Sequence, residues 1–214
     1  MSGRDRLLLA LAAIVAVALV VSGIAPTDRI TWVMEVMPVV IAGAVIATTW
    51  TRFPLTTLLC ILIAAHSLVL IVGGAYTYAH VPLGFWLQDL LGTARNPYDK
   101  IGHFMQGFVP ALAAREIFVR GGYVTGRRMT AFLCICVALA VSAVYELIEW
   151  WAALAMGQGA DEFLGTQGDQ WDTQSDMFMA LIGSCTAMVL LSRWHDRQIA
   201  ALSPRDTRRS ASTE

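Results

Sequence analysis

The sequence predicts an all-α fold, a polytopic bundle of about six membrane-spanning helices with one further helix lying in the interface. Three observations carry that prediction. The 214 residues are 57% hydrophobic and 14% charged, with a mean hydropathy of +0.60, outside the usual range of soluble domains. The apolar residues fall into six runs, each near the roughly 20 residues that a bilayer crossing needs. What lies between the runs is too short for a separate soluble domain, so residues 1–203 read as one integral bundle.

The first run, about 7–24, follows Arg4 and Arg6 and contains no charge. A basic start before an apolar run also describes a secretory signal, but the apolar core of a signal is roughly 7–15 residues long, so a retained first helix is expected. The second span covers about 32–49, with Glu35 near its start, and the third about 55–73, after Arg52 and Pro54. His66 lies about 16 Å along the third span from Leu55 at 1.5 Å per residue, close to the bilayer middle. An ionisable side chain there is either a functional candidate or a neutral imidazole bonded to a neighbouring helix.

Residues 76–98 break the pattern. Leu83, Trp86, Leu87, Leu90 and Leu91 recur at the spacing of an amphipathic stripe, with Pro82 suited to its first turn and Gly92 to its end. A helix over about 82–92 is too short to span and is expected in the headgroup region, with Tyr76, Tyr78 and Trp86 as interfacial aromatics; a lid over the bundle's mouth is the alternative. The fourth span, about 97–119, opens with Asn96-Pro97-Tyr98-Asp99, which reads as an N-cap, a proline at the first helical position and a carboxylate at the third. Pro110 is expected to kink it, and Arg115, Glu116 and Arg120 to snorkel to the interface at its far end. The fifth span covers about 130–151 and the sixth about 177–194. The polar, arginine-rich residues 204–214 read as a disordered cytoplasmic tail.

Alternating six spans places the arginines of residues 1–6, 52, 120–128 and 193–209 on one side, against Arg29, Arg95 and Lys100 on the other. The positive-inside rule then makes both termini cytoplasmic. Cys60, Cys134, Cys136 and Cys185 all lie inside apolar runs and read as small core residues, with neither a zinc pattern nor a disulfide framework. The net charge of -1 and this composition make nucleic acid an unlikely class of partner; membrane lipids are the expected one. No internal repeat is evident, which weighs against an inverted-repeat transporter.

Polar groups converge on the outer rim. Asp99 and His103 are i and i+4 on one helix, with Gln106 a turn deeper and Lys100 beside them. Glu146 and Glu149 end the next span. Asp172 and Asp176 begin the last, above Ala180 and Gly183, small residues that admit a neighbouring backbone. Facing one another, His103, Glu146, Glu149, Asp172 and Asp176 would hold a divalent metal, with Mg, Mn or Zn preferred because no cysteine lies near. The same groups could instead form a proton-transfer constellation in which His103, Glu146, Glu149, Lys100 and Asp99 take the catalytic roles. Asp99 beside Asn96, and Asp176 in Thr173-x-x-Asp176, also fit capping boxes, and interhelical hydrogen bonds are ordinary membrane glue. His103 and Glu146 discriminate best, since each lies about one turn inside an apolar segment, where an unpaired charge costs of order a few kcal/mol. Asp161, Glu162 and Asp169 sit among loop glycines and read as solvated.

Asn96-Pro97-Tyr98-Asp99-Lys100-Ile101-Gly102-His103-Phe104, then Glu146-Leu147-Ile148-Glu149-Trp150, then the stretch from Gly165-Thr166-Gln167-Gly168-Asp169-Gln170-Trp171-Asp172 to Met177 resemble the signature of the YjdF-like bacterial inner-membrane proteins of unknown function, the DUF2238 family. The likeness covers most of the chain and implies a multi-pass protein of the bacterial cytoplasmic (inner) membrane more than it implies an activity. More distantly, Asp99–Phe104 and Asp176 followed by Gly183 resemble the VanZ-like proteins linked to glycopeptide (teicoplanin) resistance. There Glu149 stands where those proteins have Gln, Ala180 where they have Asn, and the arginine before the last aspartate is missing.

Three functions fit these features. One is a membrane-embedded enzyme, metal-dependent in one version, acting on a lipid or envelope intermediate with Lys100 clamping an anionic headgroup. The second is a non-catalytic protein binding a lipid, ligand or partner at the mouth. The third is a small transporter, for which His66 would extend the polar path.

Overall fold

The computed structural model describes residues 2–156 and 167–202, and the glycine-rich loop with Asp161 and Glu162, as well as the tail, lies outside them. Among the described residues there are seven helices and no strand: α1 (Gly3–Ser22), α2 (Arg29–Thr49), α3 (Thr57–Ala75), α4 (Pro82–Leu91), α5 (Tyr98–Gly121), α6 (Arg127–Met156) and α7 (Asp172–Leu202).

Local signals set the helix ends. Ser2 and Asp5 close a capping box on α1. Asp28 caps α2 by accepting from Thr31 N, and that bond holds its carboxyl below the usual range. Gly92 and Gly122 end α4 and α5 in the left-handed conformation, each at φ 65°, as expected of a glycine past a helix end.

Long-range hydrogen bonds show which ends meet. Arg4 Nη2 donates to Leu55 O at 2.7 Å, so α1 and α3 start together. Thr27 N donates to Ala75 O at 3.0 Å and Trp32 Nε1 to Ser22 Oγ at 2.9 Å, which returns the chain along α2. Tyr98 OH reaches Val69 O at 3.2 Å, whereas Glu116, eighteen residues later, accepts from Thr56. α5 therefore runs the whole length of the bundle, about 36 Å at 1.5 Å per residue.

Among the described residues five helices, α1, α2, α3, α6 and α7, are long and apolar enough to cross a membrane. The expected fourth crossing, α5, has 24 residues but a polar composition, because α3, α6 and α7 enclose it. A helix shielded from lipid does not need an apolar coat. Pro110 lies inside α5 without ending it. α6 and α7 run to 30 and 31 residues, longer than the apolar runs within them. At about 45 Å they exceed a hydrocarbon core of about 30 Å, so their arginine-bearing ends extend past it.

The core sits where α3, α5, α6 and α7 meet, around Leu59, Val109, Leu112, Cys134, Ala138 and Ala187. On α4 the apolar residues Leu83, Trp86, Leu90 and Leu91 are exposed and Gly84 is buried against Asn96, the arrangement an interfacial helix requires.

One expectation fails at the arginine-rich end. Arg115 and Glu116 do not snorkel; both are buried, Glu116 completely. The Glu116 carboxylate accepts from Thr56 N (2.9 Å), Thr56 Oγ1 (2.7 Å) and Arg120 Nη1 (2.9 Å), and lies 2.9 Å from His195 Nε2. Arg115 pairs with Asp196 and lies 3.4 Å from His195 Nδ1. These bonds keep α3, α5 and α7 in register, and the satisfied network makes burial affordable. Arg120 alone behaves as a long side chain near the surface, covering the Phe53 ring and donating to Pro54 O at 2.7 Å.

Candidate functional site

The seam between α5 and α7 builds the site. A Cβ at Gly107 would lie 1.8 Å from Ala180 O, and one at Gly183 would lie 2.0 Å from Phe104 O. Backbone against backbone at that range needs glycine on both helices, and Ala180 and Gly183 play the part the sequence assigns them. The close approach carries Asp176, two turns above Gly183, to His103, the neighbour of Phe104.

His103 is the hub. Its Nδ1 lies 3.1 Å from Gln106 Oε1 and 3.7 Å from Glu146 Oε1. Its Nε2 lies 3.4 Å from Asp99 Oδ1 and 3.8 Å from Asp176 Oδ1. A proton on Nδ1 would donate to Gln106 Oε1, and the two carboxylates facing Nε2 call for a positive charge there, which either a second ring proton or a bound cation supplies. Asp99, His103 and Asp176 can each offer one ligand atom, all within 4.8 Å of one another.

Basic residues hold the other aspartates. Lys100 Nζ lies 2.8 Å from Asp172 Oδ1 and 2.5 Å from Asp176 Oδ1, and 3.9 Å from Asp99 Oδ2. Arg95 Nη2 lies 2.7 Å from Asp172 Oδ1 and 2.8 Å from Asp169 Oδ2. Asp169 is thus ion-paired, not merely solvated. Gln167 and Asn96 exchange two backbone-to-amide hydrogen bonds of 3.1 Å, fastening the lead-in of α7 to that of α5.

Neither aspartate acts as the cap that its motif allows. Pro97 is the N-cap of α5 and makes no side-chain cap bond, while Asn96 Oδ1 accepts from Tyr98 N at 3.0 Å. Asp99 is left to face His103. Asp176 lies past the first turn of α7, where Lys100 and His103 meet its carboxylate.

Of the residues picked out in the sequence, Asp99, Lys100, His103, Gln106, Glu146, Asp172 and Asp176 gather within this network. The metal-capable triangle is narrower than the expected set: Asp99 joins His103 and Asp176, whereas Asp172 is taken up by Arg95 and Lys100. Glu146 Oε1 is buried without a hydrogen-bond partner among the described residues and stands behind the imidazole. Glu149 lines a small adjoining cavity with Asp99, His103, Gln106, Tyr78 and Tyr145, whose volume of about 20 Å³ suits a single water.

Glu35 belongs to the site as well. It is buried on α2, accepts from Tyr145 OH at 2.7 Å and lines that same cavity. A glutamate inside an apolar run was the available signal. Tyr78 arrives by a strained route: Thr77 and Tyr78 have φ of 54° and 49°, a left-handed conformation costing about 1–2 kcal/mol per residue. The turn lays the Tyr78 ring on Gly73, where a Cβ would come within 2.3 Å of it.

His66 lies within electrostatic range of His103, one turn along α3 from Leu70 in the cavity wall. Its Nε2 is enclosed with no hydrogen-bond partner among the described residues, and Leu59, Val109, Leu112 and Cys134 form the apolar core below the rim.

The fold and site together define a polytopic helical membrane protein with a buried histidine–carboxylate centre at one end of its bundle. The chain belongs to the family described as Predicted membrane protein (DUF2238), whose profile matches residues 7–197. It is 64% identical over 181 residues to Inner membrane protein YjdF of Escherichia coli (strain K12), covering 85% of this chain and 87% of that protein. The chain is accordingly a bacterial inner-membrane protein. No solved structure matches it.

Proposed function

We propose that this protein is a membrane-embedded metalloenzyme whose centre, Asp99, His103 and Asp176, opens at the outer face of the cytoplasmic membrane and acts on a lipid or envelope intermediate. The observation that carries the reading is the clustering of one ligand atom each from Asp99, His103 and Asp176 within 4.8 Å of one another. Gln106 Oε1, 3.1 Å from His103 Nδ1, is placed to orient the ring as the outer partner of a ligating imidazole. Nε2 lies 3.4 and 3.8 Å from the Asp99 and Asp176 carboxylates, near enough for these residues to hold one cation between them. One nitrogen and two carboxylates suit Zn, Mn or Mg.

Bound there, the cation supplies Lewis acidity toward a phosphoryl or carbonyl oxygen. The chain's own groups do the rest. Lys100, paired with Asp172 and Asp176, is the cation that would face an anionic headgroup if Asp176 were a metal ligand. Glu149 in the cavity wall and Glu146 behind the imidazole are the acid–base pair, and the Glu35–Tyr145 hydrogen bond fixes that wall. The outward orientation rests on the arginines: Arg4, Arg52, Arg120, Arg127 and Arg193 lie at the opposite end of the bundle, which the positive-inside rule makes cytoplasmic. Both termini are then cytoplasmic.

The second reading, a non-catalytic binding protein, is favoured by Lys100 and Arg95, which neutralise Asp172, Asp176 and Asp169 and so knit α5 to α7. Elemental analysis separates the two. Protein purified without chelator should carry about one divalent ion per chain, and His103→Ala should fold at near wild-type yield without it. A metal-free wild type whose melting is unmoved by chelator and by added Zn or Mn would overturn the metalloenzyme, and a His103→Ala variant that fails to assemble would favour the second reading.

A further inference from the structure

At the end of the bundle away from the carboxylates, α5, α6 and α7 border an open cavity of about 580 Å³, within the range of small-ligand sites. Three arginines line it, one from each helix: Arg115, Arg127 and Arg193. Among the described residues Asp196 is the one carboxylate in its wall, and it is paired with buried Arg115. Arg127 and Arg193 have no ion-pair partner among the described residues. Gly126 and Arg127, at the first turn of the 30-residue α6, add the positive end of its dipole to the same space.

Thr130 and Ser192 add two hydroxyls, and the rest of the wall is apolar. Val119, Val124, Ala131, Met188 and Val189 line the cavity, and Val119 and Val189 are also exposed on the outside of the bundle, Val189 by 80%. The cavity therefore joins a cationic recess to a hydrocarbon-facing wall. Tyr123 and Trp194, the chain neighbours of Val124 and Arg193, are both exposed, which is the placement of aromatics at headgroup depth.

We propose that this cavity binds the phosphate of an anionic membrane lipid, with the acyl chains running over Val119 and Val189. Basic recesses between spanning helices on the cytoplasmic side are suited to such headgroups. Inorganic phosphate shares the charge but has no use for the apolar wall. The site is independent of the histidine–carboxylate centre, which lies at the other end of α5, so either assignment can fail without the other.

The test uses the full-length protein in neutral detergent and native mass spectrometry with dioleoylphosphatidylglycerol and dioleoylphosphatidylcholine. Phosphatidylglycerol should be retained in preference to phosphatidylcholine. The double variant Arg127→Gln/Arg193→Gln, which disturbs no ion pair, should bind it about tenfold or more weakly, as expected for lost charge-assisted bonds. Ala131→Phe, which fills the cavity without changing charge, should weaken binding as well, and Arg197→Gln, outside the wall, should leave it unchanged. Equal retention of the two lipids, or wild-type affinity in both cavity variants, would overturn the proposal. Displacement of the lipid by inorganic phosphate would reassign the cavity to a soluble anion.

Discussion

Replacing Gly183 with alanine places a methyl group 2.0 Å from the Phe104 carbonyl oxygen, where ordinary contact begins at 3.4 Å. A backbone carbonyl inside a helix cannot swing aside as a side-chain end can. α5 and α7 must therefore part locally by about 1.4 Å. Overpacking of this kind costs about 1–3 kcal/mol, and at roughly 2–4 °C per kcal/mol for a chain of this size the melting temperature should fall by about 2–12 °C. The displacement also reaches the site, because His103 precedes Phe104 and Asp176 lies two turns along α7 from Gly183. Their 3.8 Å separation would grow beyond what one cation can bridge, and divalent-metal affinity should drop about 10–100-fold, the scale of disturbed ligand support. Thermal unfolding with and without added Zn, alongside calorimetric titration, measures both effects. Gly43→Ala is the control, since a Cβ there meets nothing within 4 Å. Wild-type melting for Gly183→Ala would refute the tight seam, and lowered melting with unchanged metal affinity would refute the claim that the seam positions the site.

Other perturbations follow from single contacts. Tyr145→Phe removes the donor to buried Glu35 and should cost about 1–3 kcal/mol; the double variant Tyr145→Phe/Glu35→Leu should recover part of that loss in a melting comparison. Glu116→Ala strips the partner from Arg120, His195 and Thr56 and should lower stability by about 3–5 kcal/mol, visible as poor yield in the membrane fraction, with Glu116→Gln milder. For orientation, Gly168→Cys should react with an impermeant maleimide in intact cells and Ser2→Cys only after cell disruption, and the reverse pattern would invert the assignment of faces.

The sequence disclosed the site wherever a polar group stood out against an apolar run. His103, Glu146 and Asp176 were legible for that reason, and the Ala180–Gly183 spacing foretold the close seam. Asp99 was ambiguous because a carboxylate two residues after a proline satisfies a helix start equally well; its direction depends on the rotation of α5 against α7, which no local rule fixes. Glu35 sat among valines and methionines as conspicuously as Glu146, but its partner Tyr145 is 110 residues away. Arg115 and Glu116 misled for a related reason. Near the end of a lipid-facing helix, charge is expected to point outward; α5 instead turns Ile117 and Val119 out and Arg115 and Glu116 in toward His195. The ends of α6 and α7 were also short in the sequence reading, because apolarity stops at the bilayer while helical hydrogen bonding continues past it.

The enclosure of α5 bears on how the protein is made. With His103, Gln106, Arg115 and Glu116 all turned inward, this segment gains too little from hydrocarbon to partition into it as a solitary rod, since each central charge is charged at roughly 2.5–3.5 kcal/mol during insertion. Its entry is tied to a companion already in place or arriving with it, and α6, next along the chain and apolar throughout its middle, is the natural escort. A ribosome-bound chain halted before α6 emerges should leave α5 lingering at the translocation channel.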